Sequence, residues 1–241
     1  MKIIEKINAK NTDIKNAPPV TIAFIGDSVT HGCFECFWMG DGNLDTRHDA
    51  SSAYSARLWE MLHVLYPKAQ INIINSGVSG DNARGGNARF ERDVEKYAPD
   101  LVVISFGLND AGGGDDNLPR YRENLAGMFE KTAAIGAECI FLTENMMCSK
   151  VSCHISGDKS KALAERLSGT QNSGMLKKYF EAGKEVARAH GVKICDIYSA
   201  WEKMSDGGVD TTELLANKYN HPIEKMHYYT AVKLIETMFE E

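Results

Sequence analysis

Short apolar runs alternate with amphipathic stretches along most of the chain. Runs of β-branched and aromatic residues, with the length of buried strands, occur at residues 21–25, 70–75, 101–106, 139–143 and 192–197. Apolar residues recur at helical spacing at residues 51–65, from 83 to about 97, at 119–135, within 176–190 and at 222–240. Strands that alternate with helices indicate a mostly parallel sheet covered by helices on both faces. The pattern therefore predicts an α/β fold.

Three segments lack this alternation. Residues 1–19 are polar, so we expect an extended lead-in to the first strand, with a short edge strand at residues 2–7 as the alternative. Residues 33–49 show little periodicity, which predicts a loop over the carboxyl end of the first strand. The polar composition of residues 149–158 predicts another loop. Because 241 residues can bury one sizeable core, we expect a single domain over residues 1–241.

Polar turns with glycine follow three consecutive predicted strands. They are Gly26-Asp27-Ser28, the segment 77–82 and the segment 107–110. The carboxyl ends of parallel strands lie at one edge of the sheet, and ligands of such sheets bind beyond that edge. The sequence therefore predicts one site built from these three turns.

The residue types at these turns suit acyl transfer. Ser28 follows a central strand and begins a helix, a position that favours negative charge; the alternative is that Asp27 or Ser28 only caps that helix. The backbone N–H groups of Ser28 and Gly80 and the side-chain amide of Asn109 could donate to an oxyanion. His221 precedes a proline and the last helix, so it is the candidate base; the alternative is a solvent-facing loop histidine.

These motifs together are similar to those of the SGNH/GDSL hydrolase superfamily of esterases and lipases. The similarity rests on Gly26-Asp27-Ser28, Gly80, Asn109 and His221, and it covers the chain from residue 21 to about residue 231. It implies a three-layer α/β/α sandwich of the flavodoxin-like type with a five-stranded parallel sheet. It also implies a nucleophile at Ser28, a base at His221, and an oxyanion hole from Ser28, Gly80 and Asn109.

One position departs from the family pattern. The family usually has an aspartate three residues before the histidine to orient its ring, and this chain has Lys218 there. The groups that could hold the imidazole instead are Asn217, a backbone carbonyl, or an upstream acid such as Asp210 or Glu213. The other alternative is a dyad of serine and histidine alone.

The charge balance excludes some classes of partner. The net charge is −6 and the pI is about 5.7, and no basic stripe with interleaved aromatic residues occurs, so we expect no nucleic-acid binding.

The first twenty residues lack the apolar core of a signal peptide, and no run approaches the length of a membrane span. These features predict a soluble, cytoplasmic protein without a membrane partner; they leave its oligomeric state open.

The cysteines raise the alternative of a redox or metal-binding protein. All six are expected to be free thiols, because the chain is long and has no export signal. Cys33 and Cys36 have redox or zinc spacing, and Cys148, Cys153 and His154 could complete a metal set. Structural zinc sites usually draw on two tight ligand pairs, and the second pair here is loose. We therefore expect neither a metal nor a cofactor.

The sequence as a whole favours a serine esterase that removes a small acyl group, most simply acetyl, through an acyl-enzyme intermediate. Polar groups and isolated aromatic residues near the serine favour a small polar ester such as an acetylated sugar. Asp27, His31 and Trp38 are the candidate substrate contacts. The alternatives are a lysophospholipase or thioesterase that acts on longer acyl chains, and a catalytically silent ligand-binding protein on the same fold.

Overall fold

A five-stranded parallel sheet forms the centre of the computed structural model, which describes residues 1–240. The strands in chain order are β1 (Val20–Gly26), β2 (Cys33–Trp38), β3 (Leu44–His48), β4 (Ile71–Gly77), β5 (Leu101–Ser105), β6 (Glu138–Thr143) and β7 (Lys193–Asp196). The main sheet has the order β4-β1-β5-β6-β7, and every pair in it is parallel. The predicted five strands and their parallel arrangement are confirmed.

Helices pack in two groups around this sheet. They are α1 (Lys2–Thr12), α2 (Ser28–His31), α3 (Tyr54–Leu65), α4 (Ala83–Asp93), α5 (Gly114–Ala134), α6 (Asp158–Asn172), α7 (Met175–Ala189), α8 (Ile197–Asp206) and α9 (Glu224–Phe239). Helices α1 and α3 pack against α9, whereas α4 and α7 pack against α5. This is the three-layer α/β/α arrangement. Among residues 1–240, no helix has both the length and the apolar composition needed to cross a membrane.

Burial on both faces explains why the sheet strands are continuous apolar runs. All five residues of β5 are buried, and so are six of the seven residues of β1. A strand between two helical layers has no solvent-facing side, so it does not alternate between apolar and polar residues. The same packing fixes the strand ends, and with them the three polar turns.

The N-terminal segment differs from the expected extended lead-in. Most of it is the helix α1, and no strand forms at residues 2–7. Ile3 and Ile7, four positions apart, lie on one face of this helix and are fully buried. The side chain of Glu138 accepts hydrogen bonds from the backbone N–H groups of Lys2 and Ile3, which have no partner within the helix. Only residues 13–19 therefore serve as the lead-in.

The predicted loop at residues 33–49 is a β-hairpin. Strands β2 and β3 pair antiparallel, with Cys33 opposite His48 and Trp38 opposite Leu44, and the register shifts between Cys33 and Cys36. Most of its residues are exposed or only partly buried, so the hairpin lacks the apolar alternation that would have revealed it. Helices α6 and α8 were also not predicted; α6 buries only two residues along its length.

Candidate active site

The three predicted turns meet at the carboxyl edge of the sheet. Strand β1 ends at Gly26, and Ser28 is the first residue of α2; strands β4 and β5, which flank β1, lead to Gly80 and Asn109. Ser28, Gly80, Asn109 and His221 line one cleft of about 380 Å³. The structure thus brings together the four residues that the sequence singled out.

Ser28 and His221 are in direct contact. His221 Nε2 lies 3.0 Å from Ser28 Oγ, and both side chains are almost completely buried. On the other side of the ring, Nδ1 lies 2.8 Å from the backbone carbonyl oxygen of Phe34. A carbonyl oxygen can only accept, so Nδ1 carries the proton and Nε2 presents its lone pair to the serine hydroxyl. This tautomer suits removal of the hydroxyl proton.

The Phe34 carbonyl is therefore the group that orients the ring, which is one of the alternatives the sequence left open. Asn217 acts on the backbone instead: its Oδ1 accepts the N–H groups of Tyr219, Asn220 and His221. These bonds shape the tight loop that carries the histidine, in which Lys218 has a φ of 60°. Asn217 positions the loop, not the imidazole.

The two acidic candidates do not reach the ring. Asp210 pairs with Lys150, at 2.5 Å between Oδ2 and Nζ. Glu213 pairs with Lys218, at 2.9 Å between Oε2 and Nζ. Lys218 stands where the family pattern has an aspartate, and its ammonium group bonds to the carboxylate and the backbone carbonyl of Glu213.

Three donors lie around the serine, as expected, but one of them is already engaged. Within residues 1–240, the backbone N–H groups of Ser28 and Gly80 donate no hydrogen bond. The amide nitrogen of Asn109 donates to Asp27 Oδ2 at 3.0 Å and to the backbone carbonyl of Asp81 at 2.8 Å. These two bonds fix the orientation of the Asn109 amide before any ligand binds.

A group of buried carboxyl side chains lies behind the serine turn. Asp27 accepts the N–H of Val29, and Glu144 accepts the N–H of Leu108 through Oε2. Glu144 Oε1 is buried and has no hydrogen-bond partner among residues 1–240, and the carboxyl of Asp27 interacts electrostatically with the Glu144 side chain. Two neighbouring buried carboxyl groups would repel each other if both were ionised, so we expect the pair to share a proton. Burial raises the pKa values of both groups, and it raises the pKa of nearby Asp110 to about 7.

Glu144 offers a test of this shared proton. We expect Glu144→Gln to change the free energy of unfolding by less than about 1 kcal/mol, because its amide can donate to Asp27 and accept from Leu108. Glu144→Ala should cost about 3 kcal/mol, because it leaves a cavity and the buried N–H of Leu108 without its acceptor. Urea unfolding measures both, with Glu165→Ala on the exposed face of α6 as the control.

The pH dependence of the free energy of unfolding provides a second test of the pair of Asp27 and Glu144. A pKa raised in the folded state means that folding takes up protons, so this contribution is complete at low pH and is lost as the pH rises through the folded pKa. Between about pH 5 and pH 8, the Gln variant should lose less stability than the wild type. If Gln is as harmful as Ala at both pH values, the pair does not share a proton.

The three candidate substrate contacts do not line the cleft. Asp27 is fully buried behind the turn. The ring of His31 packs against that of His48, with 4.5 Å between ring centroids. Trp38 lies on the exposed hairpin, where its indole N–H donates to Ser160. The cleft is instead lined by residues other than these three candidates, mainly from the hairpin and from α6: Cys36, Leu44, Asp45, Thr46, His48, Ser79, Leu163, Arg166, Leu167, Tyr219 and Asn220.

The expected free thiols are confirmed, because all six cysteines are unpaired. The metal set considered from sequence does not assemble within residues 1–240: Cys148, Cys153 and His154 form no ligand group with Cys33 or Cys36. Cys148 is buried and its Sγ lies 3.6 Å from a backbone carbonyl, whereas Cys153 is exposed.

Comparisons with known proteins agree with this architecture. The model of the GDSL-like lipase/acylhydrolase family matches residues 24–228. An acetylxylan esterase of Geobacillus stearothermophilus is 36% identical over 114 residues, which are 47% of this chain and 50% of that protein. YqeF, an uncharacterized lipoprotein of Bacillus subtilis (strain 168), is 28% identical over 133 residues, 51% of this chain and 55% of the lipoprotein.

The chain thus spans about half the length of these curated relatives. The similarity of fold extends further. The crystal structure of Axe2, an acetylxylan esterase from Geobacillus stearothermophilus, matches 92% of this chain and 95% of its own, with a TM-score of 0.67 at 21% identity. At this level of identity, the match shows the fold alone.

Proposed function

Because the chain belongs to the GDSL-like lipase/acylhydrolase family, we propose that it is a carboxylic ester hydrolase that removes small acyl groups, acetyl foremost, from a polar alcohol such as a sugar. The observation that carries this proposal is the contact of 3.0 Å between Ser28 Oγ and His221 Nε2 at the wall of an open cleft. The acetylxylan esterase similarity supports the choice of acetyl and of a carbohydrate.

In the proposed mechanism, Ser28 Oγ attacks the ester carbonyl carbon while His221 Nε2 takes the hydroxyl proton. The developing oxyanion accepts hydrogen bonds from the backbone N–H groups of Ser28 and Gly80 and from one N–H of the Asn109 amide, which gives up its bond to the Asp81 carbonyl for this. Collapse of the tetrahedral intermediate breaks the ester C–O bond, and His221 returns the proton to the leaving alcohol. Water, deprotonated by the same histidine, then hydrolyses the acyl-serine. The Phe34 carbonyl holds the ring through both steps.

The cleft wall favours a small, polar substrate. Hydrogen-bonding side chains from the hairpin and from the histidine loop face it, among them Asp45, Thr46 and Asn220. Its apolar part consists of leucine side chains, with Leu163 and Leu167 contributed by α6. An open cleft of about 380 Å³ with this lining can hold an acetyl group and part of a sugar, whereas a long acyl chain would remain largely in water.

An acyl-length series tests the proposal. We expect kcat/KM for p-nitrophenyl acetate to exceed that for the octanoate ester by at least about tenfold, because the extra methylenes find no enclosing pocket. Acetylated xylooligosaccharides should release acetate, measured by proton NMR. Faster turnover of octanoate would instead identify an acylhydrolase of longer chains. Binding of these esters without turnover would identify a silent ligand-binding protein.

The pH profile should report the buried histidine. Burial lowers the pKa of His221 to about 4, because the imidazolium form loses its hydration, and no carboxylate contacts the ring to oppose this. The base must be neutral, so kcat/KM should stay high as the pH falls and decline only near pH 4. The measurement is kcat/KM at the p-nitrophenol isosbestic wavelength, with recovery of activity at neutral pH as the control for unfolding. An acid limb near the ordinary value of about 6.5 would contradict this assignment.

A further inference from the structure

A second cluster of chemically active side chains lies beside the catalytic pair. It consists of His31, Cys33 and His48, whose ligand atoms all lie within 4.8 Å of one another. Cys33 Sγ is 3.3 Å from His48 Nδ1, and the two imidazole rings are 4.5 Å apart between centroids. The proposed ester hydrolysis uses none of these three side chains.

Local geometry explains why they converge. Cys33 and His48 are directly opposite each other in the antiparallel pair of β2 and β3, so their side chains lie on one face of the hairpin. His31 ends α2, and Gly32 with a φ of 91° turns the chain from that helix into the hairpin. The backbone carbonyl of Gly32 accepts the N–H of Asp49, which ties the two ends of the hairpin together. The cluster therefore stands on regular, hydrogen-bonded backbone.

The burial and the hydrogen bonding of these side chains also suit the binding of a metal ion. His31 Nδ1 is buried and has no hydrogen-bond partner among residues 1–240. A buried nitrogen without a partner costs free energy of folding unless a bound ligand contacts it. The Cys33 thiol is buried beside His48, which is itself exposed and leaves a path from solvent.

We propose that His31, Cys33 and His48 bind a divalent transition-metal ion of the zinc type, with two imidazole nitrogens and one thiolate as protein ligands. Imidazole and thiolate together suit Zn²⁺ and its spectroscopic substitute Co²⁺, and three protein ligands leave a fourth position for water. Binding releases the thiol proton of Cys33 to solvent. This site shares only Cys33 with the metal set considered from sequence, and it adjoins the cleft because His48 lines the cleft.

Titration of the full chain with Co²⁺ tests this site. We expect one equivalent to bind with a thiolate-to-cobalt charge-transfer band in the near ultraviolet and the visible bands of a tetrahedral ion. Cys33→Ser should abolish the charge-transfer band. His48→Ala should weaken binding by more than about tenfold, and because His48 is exposed this variant should fold normally. Competition by Zn²⁺ should bleach the spectrum.

Two other thiols provide matched controls. Cys36 lies in the same hairpin, and Cys153 is exposed on a distant loop. Cys36→Ser and Cys153→Ser should both retain the band. The proposal is overturned if the wild type shows no thiolate band at one equivalent of Co²⁺, if the band survives Cys33→Ser, if His48→Ala leaves the affinity for Co²⁺ unchanged, or if the band disappears with either control. No ester enters the experiment, so its outcome is independent of the proposed hydrolysis.

Discussion

Replacing Ser28 with alanine should lower kcat/KM for p-nitrophenyl acetate by at least about a thousandfold. The substitution removes the hydroxyl that lies 3.0 Å from His221 Nε2, and with it the acyl-serine intermediate. His221→Ala should cause a comparable loss, because without the base the hydroxyl remains protonated. The double variant should be no slower than either single variant, since the two groups act as one unit. Steady-state kinetics on the four proteins measure these effects.

Ser79 provides the matched control for this experiment. It lines the same cleft, yet it makes no hydrogen bond with His221. Ser79→Ala should therefore retain kcat/KM within a few-fold of the wild type. Acid-quenched samples of the wild type should carry an acetyl adduct on the peptide that contains Ser28, detected by mass spectrometry. If Ser28→Ala keeps its activity, or if the adduct lies on another peptide, the proposed nucleophile is wrong.

The arrangement of the turns could be predicted because it follows from topology. The strand runs that end at Gly26, Gly77 and residues 105–106 are short and apolar, and parallel strands buried on both faces must present their carboxyl ends at one edge. Once the strands were identified, Ser28, Gly80 and Asn109 had to lie near one another. The pairing order of the strands, which places β4 and β5 on either side of β1, was needed in addition, and the structure supplies it.

The group that orients His221 could not be predicted. A backbone carbonyl has no residue type, so no letter of the sequence marks the role of Phe34. Its position depends on a hairpin that carries few buried residues and was expected to be a loop. The buried Glu144 had a signal that was not used: an acidic residue that directly follows a buried strand at the active edge of the sheet.

The exchange of aspartate for Lys218 has a consequence for the base. A carboxylate beside the ring would favour imidazolium and raise the pKa of His221. The Phe34 carbonyl provides only a dipole, so burial dominates and lowers that pKa to about 4. If His221 is the base, as proposed, it is neutral over a wide pH range but weak, and we expect the proposed reaction to depend more heavily on the groups that stabilise the oxyanion.

Asn109→Ala should accordingly lower kcat by about a hundred- to a thousandfold, with little change in KM. The Asn109 amide lies at the cleft with both of its N–H groups engaged, one with Asp27 and one with the carbonyl of Asp81, so the N–H that bonds to Asp81 must be shared with, or turn to, the oxyanion. The oxyanion forms only in the transition state, which is why the loss falls on kcat. Steady-state kinetics with p-nitrophenyl acetate separate the two constants.

Two further variants distinguish charge stabilisation from a structural effect. Asn109→Asp keeps the size of the side chain but replaces a donor with an acceptor next to Asp27 and the developing negative charge, so it should be slower than Asn109→Ala. Asn72→Ala removes an exposed amide near the start of β4, at the opposite edge of the sheet, and should leave kcat unchanged. Equal activity of the Ala and Asp variants would mean that Asn109 supports the turn and does not bind the oxyanion.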